Sequence, residues 1–404
     1  MTLIRPFAGL RPVAGRAAEV VAPPYDVLNS AEARTRAAGR PWSFLHISRA
    51  EIDLPEGTDP HDPAVYAMAA SNLKRMLEEG VLQRDAGVCY YVYRLVMGEH
   101  SQTGLVAVAS VADYDSNRIR KHEFTRPDKE NDRVSQIEAL NAQTGPVLLA
   151  YKSRDDIDAL LEAVTRDEPE VDLVADDGIG HSFWVVGGSE QIERITRAFD
   201  AMDNLYIADG HHRSAAASRV AAQHSGDGSG WFLSVIFPHN QMQILDYNRV
   251  VRDLNGLSPE QLLAGLVENF TVTPVDSARH PAGPGEFGMY LAGQWYRLQI
   301  HPDRIPADPV AKLDVSLLAD NLLEPLLGIS DPRRDSRIDF VGGIRGLGEL
   351  QRRVDSGEMQ VAFSLFPTSM EDLMAVADAA EVMPPKSTWF EPKLADGLVS
   401  HMLD

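Results

Sequence analysis

The sequence of 404 residues contains a single cysteine, Cys89, which excludes both a disulfide framework and a cysteine-ligated zinc centre. Cys89 sits in "VCYYVYRL", an apolar run that predicts a buried strand, and reads there as a small core side chain. No stretch is long and apolar enough to span a bilayer, and no apolar run at the start precedes a cleavage site. A cytoplasmic protein without a membrane partner is therefore expected. Walker A, HExxH and nucleophile-elbow patterns are absent too. Positive charge is scarce: 38 Lys and Arg stand against 59 Asp and Glu, a formal net charge of -21. Such a surface repels phosphate backbones and argues against sequence-independent nucleic-acid binding, while leaving room for a small anion wherever basic residues gather.

What is present is ordinary soluble-protein material, 44% hydrophobic and 24% charged, with length enough for two domains. Helical spacing runs through "DPAVYAMAASNLKRMLEEGVL", where Val65, Met68, Ala69, Leu73, Met76 and Leu77 share a face and Gly80 ends the helix. Two β-rich runs around a Gly-Glu-His turn, residues 87–115, predict a hairpin, and "SFLHISR" predicts a further strand. Strands and helices are mixed throughout, which predicts an α+β fold. The texture changes near residue 250. Two domains, 1–250 and 251–404, are expected, the last segment of the second packing back on the first.

One short stretch breaks a local rule. In "YIADGHHRSAAASRV", residues 206–220, a buried strand ends, Asp209-Gly210 forms a tight turn with Asp209 as a helix cap, and a helix begins. Its first turn carries His211, His212 and Arg213, where the helix dipole disfavours cations. A bound anion removes the conflict: a helix start offers free N–H groups, Gly210 admits a ligand to the backbone, and Arg213 can bind a phosphate bidentately. A histidine pair packed at an ordinary helix start, or a metal site, are the other readings of the same residues.

Three further stretches carry chemistry-bearing residues. "RIRKHEFTRPDKENDR", residues 118–133, is a local basic excess before a helix, with Lys129 and Arg133 suited to phosphate charge and His122 and Glu123 to acid–base work or metal binding. The alternative is a solvated, salt-bridged loop. "APPYDVL" fixes Asp26 after a diproline, as a catalytic carboxylate or as a structural turn. "MPPKSTWF" offers Lys386 to a ligand, or anchors the tail through Trp389 and Phe390.

Taken together, "VAPPYDVL", "HEFTRPDKENDR", "YIADGHHRSAAA", "DFVGG" and "VMPPKSTWFEPKL" follow one another over nearly the whole chain, which resembles the bacterial family labelled as a domain of unknown function, number 1015. The DGHHR segment is similar to the strand–turn–helix phosphate motif of the ParB/sulfiredoxin superfamily, whose members include free L-serine kinases. That resemblance implies a ParB/sulfiredoxin-like nucleotide-binding first domain. It also implies phosphoryl transfer from ATP or ADP, with Mg²⁺, to a small hydroxyl substrate. Gly210, His211, His212 and Arg213 would then hold the phosphates, with Lys129 and Arg133. Departures are visible as well. Sulfiredoxin has a reactive cysteine where this chain has His211, and no motif assigns the catalytic glutamate that the kinases carry near their start. Glu123, Asp209 and Asp26 remain the carboxylates to consider, with Glu123 also a Mg²⁺ ligand. A non-catalytic nucleotide-binding regulator and a metal-dependent hydrolase using His122, Glu123, His211 and His212 are the alternatives, and the oligomeric state is left open.

Overall fold

In the computed structural model, which describes residues 2–224 and 226–404, the expected hairpin is the centre of the largest sheet. Tyr90–Met97 and His100–Ser110 pair antiparallel across a turn where Gly98 adopts φ 60°. From Leu105 to Ser110 every residue is buried, so this strand is covered on both faces and reads as a continuous apolar run.

The sheet has nine strands. Its order is Ile119–Arg120, Leu205–Asp209, Val147–Tyr151, Trp231–Pro238, His100–Ser110, Tyr90–Met97, Gly180–Val186 and Val171–Val174, with Ile4–Arg5 added to His100–Ser110. Two pairings are parallel, Leu205–Asp209 with Ile119–Arg120 and Trp231–Pro238 with Val147–Tyr151, and the rest are antiparallel. Helices Pro127–Leu140 and His211–Gln223 pack on each other through Val134, Ile137, Ala216 and Val220, joined by Leu403 from the end of the chain.

A second apolar cluster forms around helix Pro63–Glu78. Asp62 caps it by accepting from the Ala64 N–H at 2.8 Å, and Pro63 occupies its first turn, where no N–H is needed. Val65, Ala69, Leu73 and Met76 face inward, while Leu77 is exposed and Asn72 takes an inward place, donating to the His46 carbonyl and to Asp53. Gly80 terminates this segment with φ 61°. The strand expected at "SFLHISR" is instead the short helix Leu45–Ser48. Phe44, Leu45, Ile47 and Ser48 are all buried in this cluster or beside it, so the segment is buried on most sides and its pattern does not distinguish helix from strand.

The chain divides into two compact units, Met1–Met242 together with Pro392–Asp404, and Gln243–Glu391. In the first, the terminal segment is held by backbone pairing: Leu10 with Ser400, Ala22 with Asp396, and His401–Met402 with Ala142–Gln143. The second unit is a six-stranded, wholly antiparallel sheet. Helix Gly346–Asp355 covers it through Leu347 and Leu350, packed on Val250, Tyr290, Trp295 and Val341. Both units are therefore α+β. Among the described residues no helix is long and apolar enough to cross a membrane.

Candidate active site

The strand Leu205–Asp209 is buried from Leu205 to Ala208 and leads directly into helix His211–Gln223. Gly210 joins them with φ 99°, a left-handed conformation that side chains rarely adopt. A Cβ at this position would lie 2.9 Å from the Nε of Arg213, so a side chain here would also displace that guanidinium. The Gly210 carbonyl accepts from the N–H groups of Arg213 and Ser214 at 2.9 and 3.0 Å. Among the described residues no side chain caps the helix. Asp209, expected as the cap, turns to Arg213 instead (2.7 Å), because the glycine N-cap leaves the carboxylate upstream of the first turn. The positive dipole end of the helix is thus not met by a side-chain cap.

The three apparent cations of this turn carry less charge than their sequence shows. His211 is 3% exposed. Its Nε2 accepts from the His122 N–H at 3.4 Å, and its Nδ1 lies 3.5 Å from Glu123 Oε2. Burial first, and then the neighbouring His122, His212, Arg213 and Lys121, hold His211 neutral, well below the usual histidine range. His122, equally buried, stacks edge-on to it at 4.4 Å and is pushed down to about 4 by burial, partly offset by its hydrogen bond to the Ile207 carbonyl. Half-buried His212 accepts from the Arg126 N–H at 3.1 Å, and burial lowers it as well. Arg213 alone stays charged. Burial opposes that charge, but Asp209, Asp26, Tyr25 and Asp396 outweigh it. Its guanidinium is already engaged by Asp209 and by the Pro146 carbonyl.

A family model described as "Protein of unknown function (DUF1015)" matches residues 4–316. The chain belongs to the DUF1015 family. No match was found among curated proteins. Solved structures similar to this DUF1015 chain include a conserved hypothetical protein from Pyrococcus furiosus (14% identity, TM-score 0.36, covering 72% of this chain and 93% of that one). They also include a free serine kinase in complex with AMP (13%, TM-score 0.37, 72% and 92%) and SbnI with a C-terminal truncation from Staphylococcus aureus (12%, TM-score 0.38, 72% and 85%). These are distant likenesses.

In this DUF1015 protein the 118–133 stretch and the DGHHR turn adjoin: Glu123 reaches His211, and the Arg126 amide reaches His212. Arg133 points elsewhere. It pairs with Asp132 at 2.6 Å and stacks on Tyr25 at 3.8 Å. There it lines a cavity shared with Arg213 and Asp396, and Asp26 lies within electrostatic reach of all three. Lys129 is exposed in the first turn of helix Pro127–Leu140. Lys386 lies in the second unit, its ammonium 5.6 Å from the Tyr247 ring. Among the described residues no group of three or more His, Cys, Asp or Glu side chains is placed to hold a metal ion. One ring nitrogen each of His211 and His212, two of the residues in the hydrolase reading, is engaged by the amides of His122 and Arg126. Sequence reasoning missed Asp396, which sits in a tail with no motif of its own, and Lys393, which helps hold Asp209 ionised.

The buried histidine makes a pH prediction. His122 is neutral in the folded chain down to about 4, whereas an unfolded histidine takes up its proton near 6.5. Between those values the unfolded chain binds one more proton, so stability falls as pH falls. Urea melts of His122→Gln should show a stability slope between pH 6.5 and 4 shallower than the parent's by about 1.4 kcal/mol per pH unit. An unchanged slope places the His122 proton differently.

Proposed function

We propose that this protein is a nucleotide-dependent phosphotransferase acting on the hydroxyl of a small metabolite, with free L-serine the first acceptor to test. The observation that carries this reading is the helix start at Gly210. It has no side-chain cap, begins at a glycine in a left-handed conformation that side chains rarely adopt, and has the Glu123 carboxylate beside it. Phosphoryl transfer asks a protein for little more than held phosphates, neutralised charge and a carboxylate for the acceptor hydroxyl. The N–H groups of His211 and His212 would hold the phosphates, with Lys129 for their outer charge. ATP or ADP with Mg²⁺, when bound, supplies the phosphoryl group and further neutralisation. Arg213, paired to Asp209, shapes the turn from behind. Glu123, whose Oε2 lies 3.5 Å from the buried, neutral His211, is the carboxylate assigned to the acceptor hydroxyl or to Mg²⁺. The resemblance of the DGHHR segment to the ParB/sulfiredoxin phosphate motif supports the same assignment, with the first unit as the nucleotide-binding domain.

The decisive experiment combines binding and chemistry. ADP or ATP with Mg²⁺ should raise the melting temperature, by mass action worth about 2.7 kcal/mol at a hundredfold excess over Kd. With L-serine or a pool of small hydroxyl metabolites, mass spectrometry should then find a phosphorylated product. Absence of any nucleotide effect removes the proposal. Binding without product leaves a non-catalytic nucleotide-binding regulator.

Cysteine chemistry is expected to play no part. Cys89 is 9% exposed, its backbone pairs with Phe7, and burial raises its thiol pKa, so it is a poor nucleophile. Cys89→Ser should keep turnover within a few-fold of the parent in the same assay. Complete loss in a folded variant would revive a sulfiredoxin-like reaction.

A further inference from the structure

Among the described residues Phe124 is the most exposed of the large apolar side chains, at 74%, and the only aromatic one of that exposed set. Single apolar side chains are common on protein surfaces, so this ring matters through where the chain holds it. It stands at the middle of residues 122–126, between strand Ile119–Arg120 and helix Pro127–Leu140. Both ends of that segment are tied to the first turn of helix His211–Gln223. The His122 N–H donates to His211 Nε2 at 3.4 Å, and the Arg126 N–H donates to His212 Nε2 at 3.1 Å. Burial favours the neutral form of both histidines, in which a ring nitrogen can accept. Glu123, the neighbour of Phe124, brings its Oε2 to 3.5 Å from His211 Nδ1. Phe124 is two residues from each tie, at most about 7 Å of extended chain, which keeps its ring beside the same turn. Exposure forgoes the burial energy that a phenylalanine ordinarily contributes. A flat apolar surface next to a helix start suits a ligand with an anionic end and a planar, stacking end.

We propose that Phe124 is the base-stacking residue of the nucleotide site: its ring packs on one face of a purine while the phosphates of the same molecule lie at the Gly210 helix start. The ligand class is a purine nucleoside di- or triphosphate rather than a bare polyphosphate. This rests on the phosphotransferase reading and adds a residue that recognises the base. Stacking uses the π-face alone, so adenine and guanine are both accepted, and the smaller pyrimidine rings offer less surface. The 122–126 segment is tied down by its two amides and not by the Phe124 ring. The ring can therefore be removed without releasing Glu123 from the turn, and base affinity separates from phosphate affinity.

The test titrates the full chain, in Mg²⁺, with ADP, GDP, UDP and pyrophosphate. In the parent, ADP and GDP should bind more tightly than UDP. Phe124→Ala should weaken ADP binding about tenfold or more, the scale of losing one base–aromatic stack, and leave pyrophosphate binding unchanged. Its melting temperature without ligand should stay at the parent's, because the side chain is exposed. Val174→Ala removes a side chain of 73% exposure at the other end of the sheet order and should leave every affinity unchanged. Phe124→Trp should keep ADP affinity within a few-fold, and its added fluorescence should be quenched by ADP and not by pyrophosphate. ADP affinity unchanged in Phe124→Ala overturns the assignment. So does an equal loss of ADP and pyrophosphate binding, UDP binding as tightly as ADP, or a Phe124→Trp signal indifferent to ADP. A parent that binds no nucleotide at all overturns the phosphotransferase reading instead, and this assignment with it.

Discussion

Arg213→Ala is expected to lose on the order of 3 kcal/mol of stability and nearly all of the melting shift produced by ADP and Mg²⁺. The guanidinium is 11% exposed and joins the end of the strand, through Asp209, to the Pro146 carbonyl. Removing it strips two charge-assisted hydrogen bonds at once. The estimate stays modest because the Asp209 side chain is 43% exposed and water can take up part of its charge. The expected effect on nucleotide binding is electrostatic: Asp209 loses its Arg213 counter-ion next to the helix start, where the proposed site holds phosphate charge. Urea melts and nucleotide-dependent melting curves separate the two losses. Arg213→Lys, which keeps the charge but not the planar fork, should fall between parent and alanine variant. A folded Arg213→Ala protein that binds nucleotide like its parent would take the DGHHR turn out of the mechanism.

Glu123→Gln is expected to cut turnover about a hundredfold or more while nucleotide binding stays nearly intact. That is roughly 2.7 kcal/mol of barrier, the scale for losing one positioned carboxylate. Glu123 is half-exposed, at the mouth of the turn, with its Oε2 at 3.5 Å from a histidine that burial keeps uncharged. The substitution preserves size and removes only the charge and the basic oxygen. Steady-state kinetics with the acceptor, set beside the ADP-induced melting shift, separate lost chemistry from lost binding. Unchanged turnover moves the role to Asp26 or Asp209.

Much of this site was legible because its signals are local. A buried apolar run, an Asp-Gly turn and an alanine-rich helix lie within residues 205–223, and the chain there adopts strand, left-handed glycine and helix in that order. The 118–133 stretch was legible as a charged approach to a helix, and it does lie against the turn. The short helix Leu45–Ser48 was not, because a segment buried on most sides shows no period. Nor was the charge state of the turn: three adjacent basic residues read as three cations, while two are neutral histidines and the third is an arginine already paired.

The sequence by itself determined the strand, glycine turn and helix of residues 205–223, since turns and side-chain alternation act over a few residues and need only their neighbours. The tertiary structure decided the chemistry. Protonation of His122 and His211 follows from burial, the partner of Arg213 from how Gly210 aims Asp209, and the entry of Asp396 into the cavity from backbone pairing between the tail and Ala22. Burial and long-range pairing join residues far apart in the chain, so no local stretch of sequence carries them.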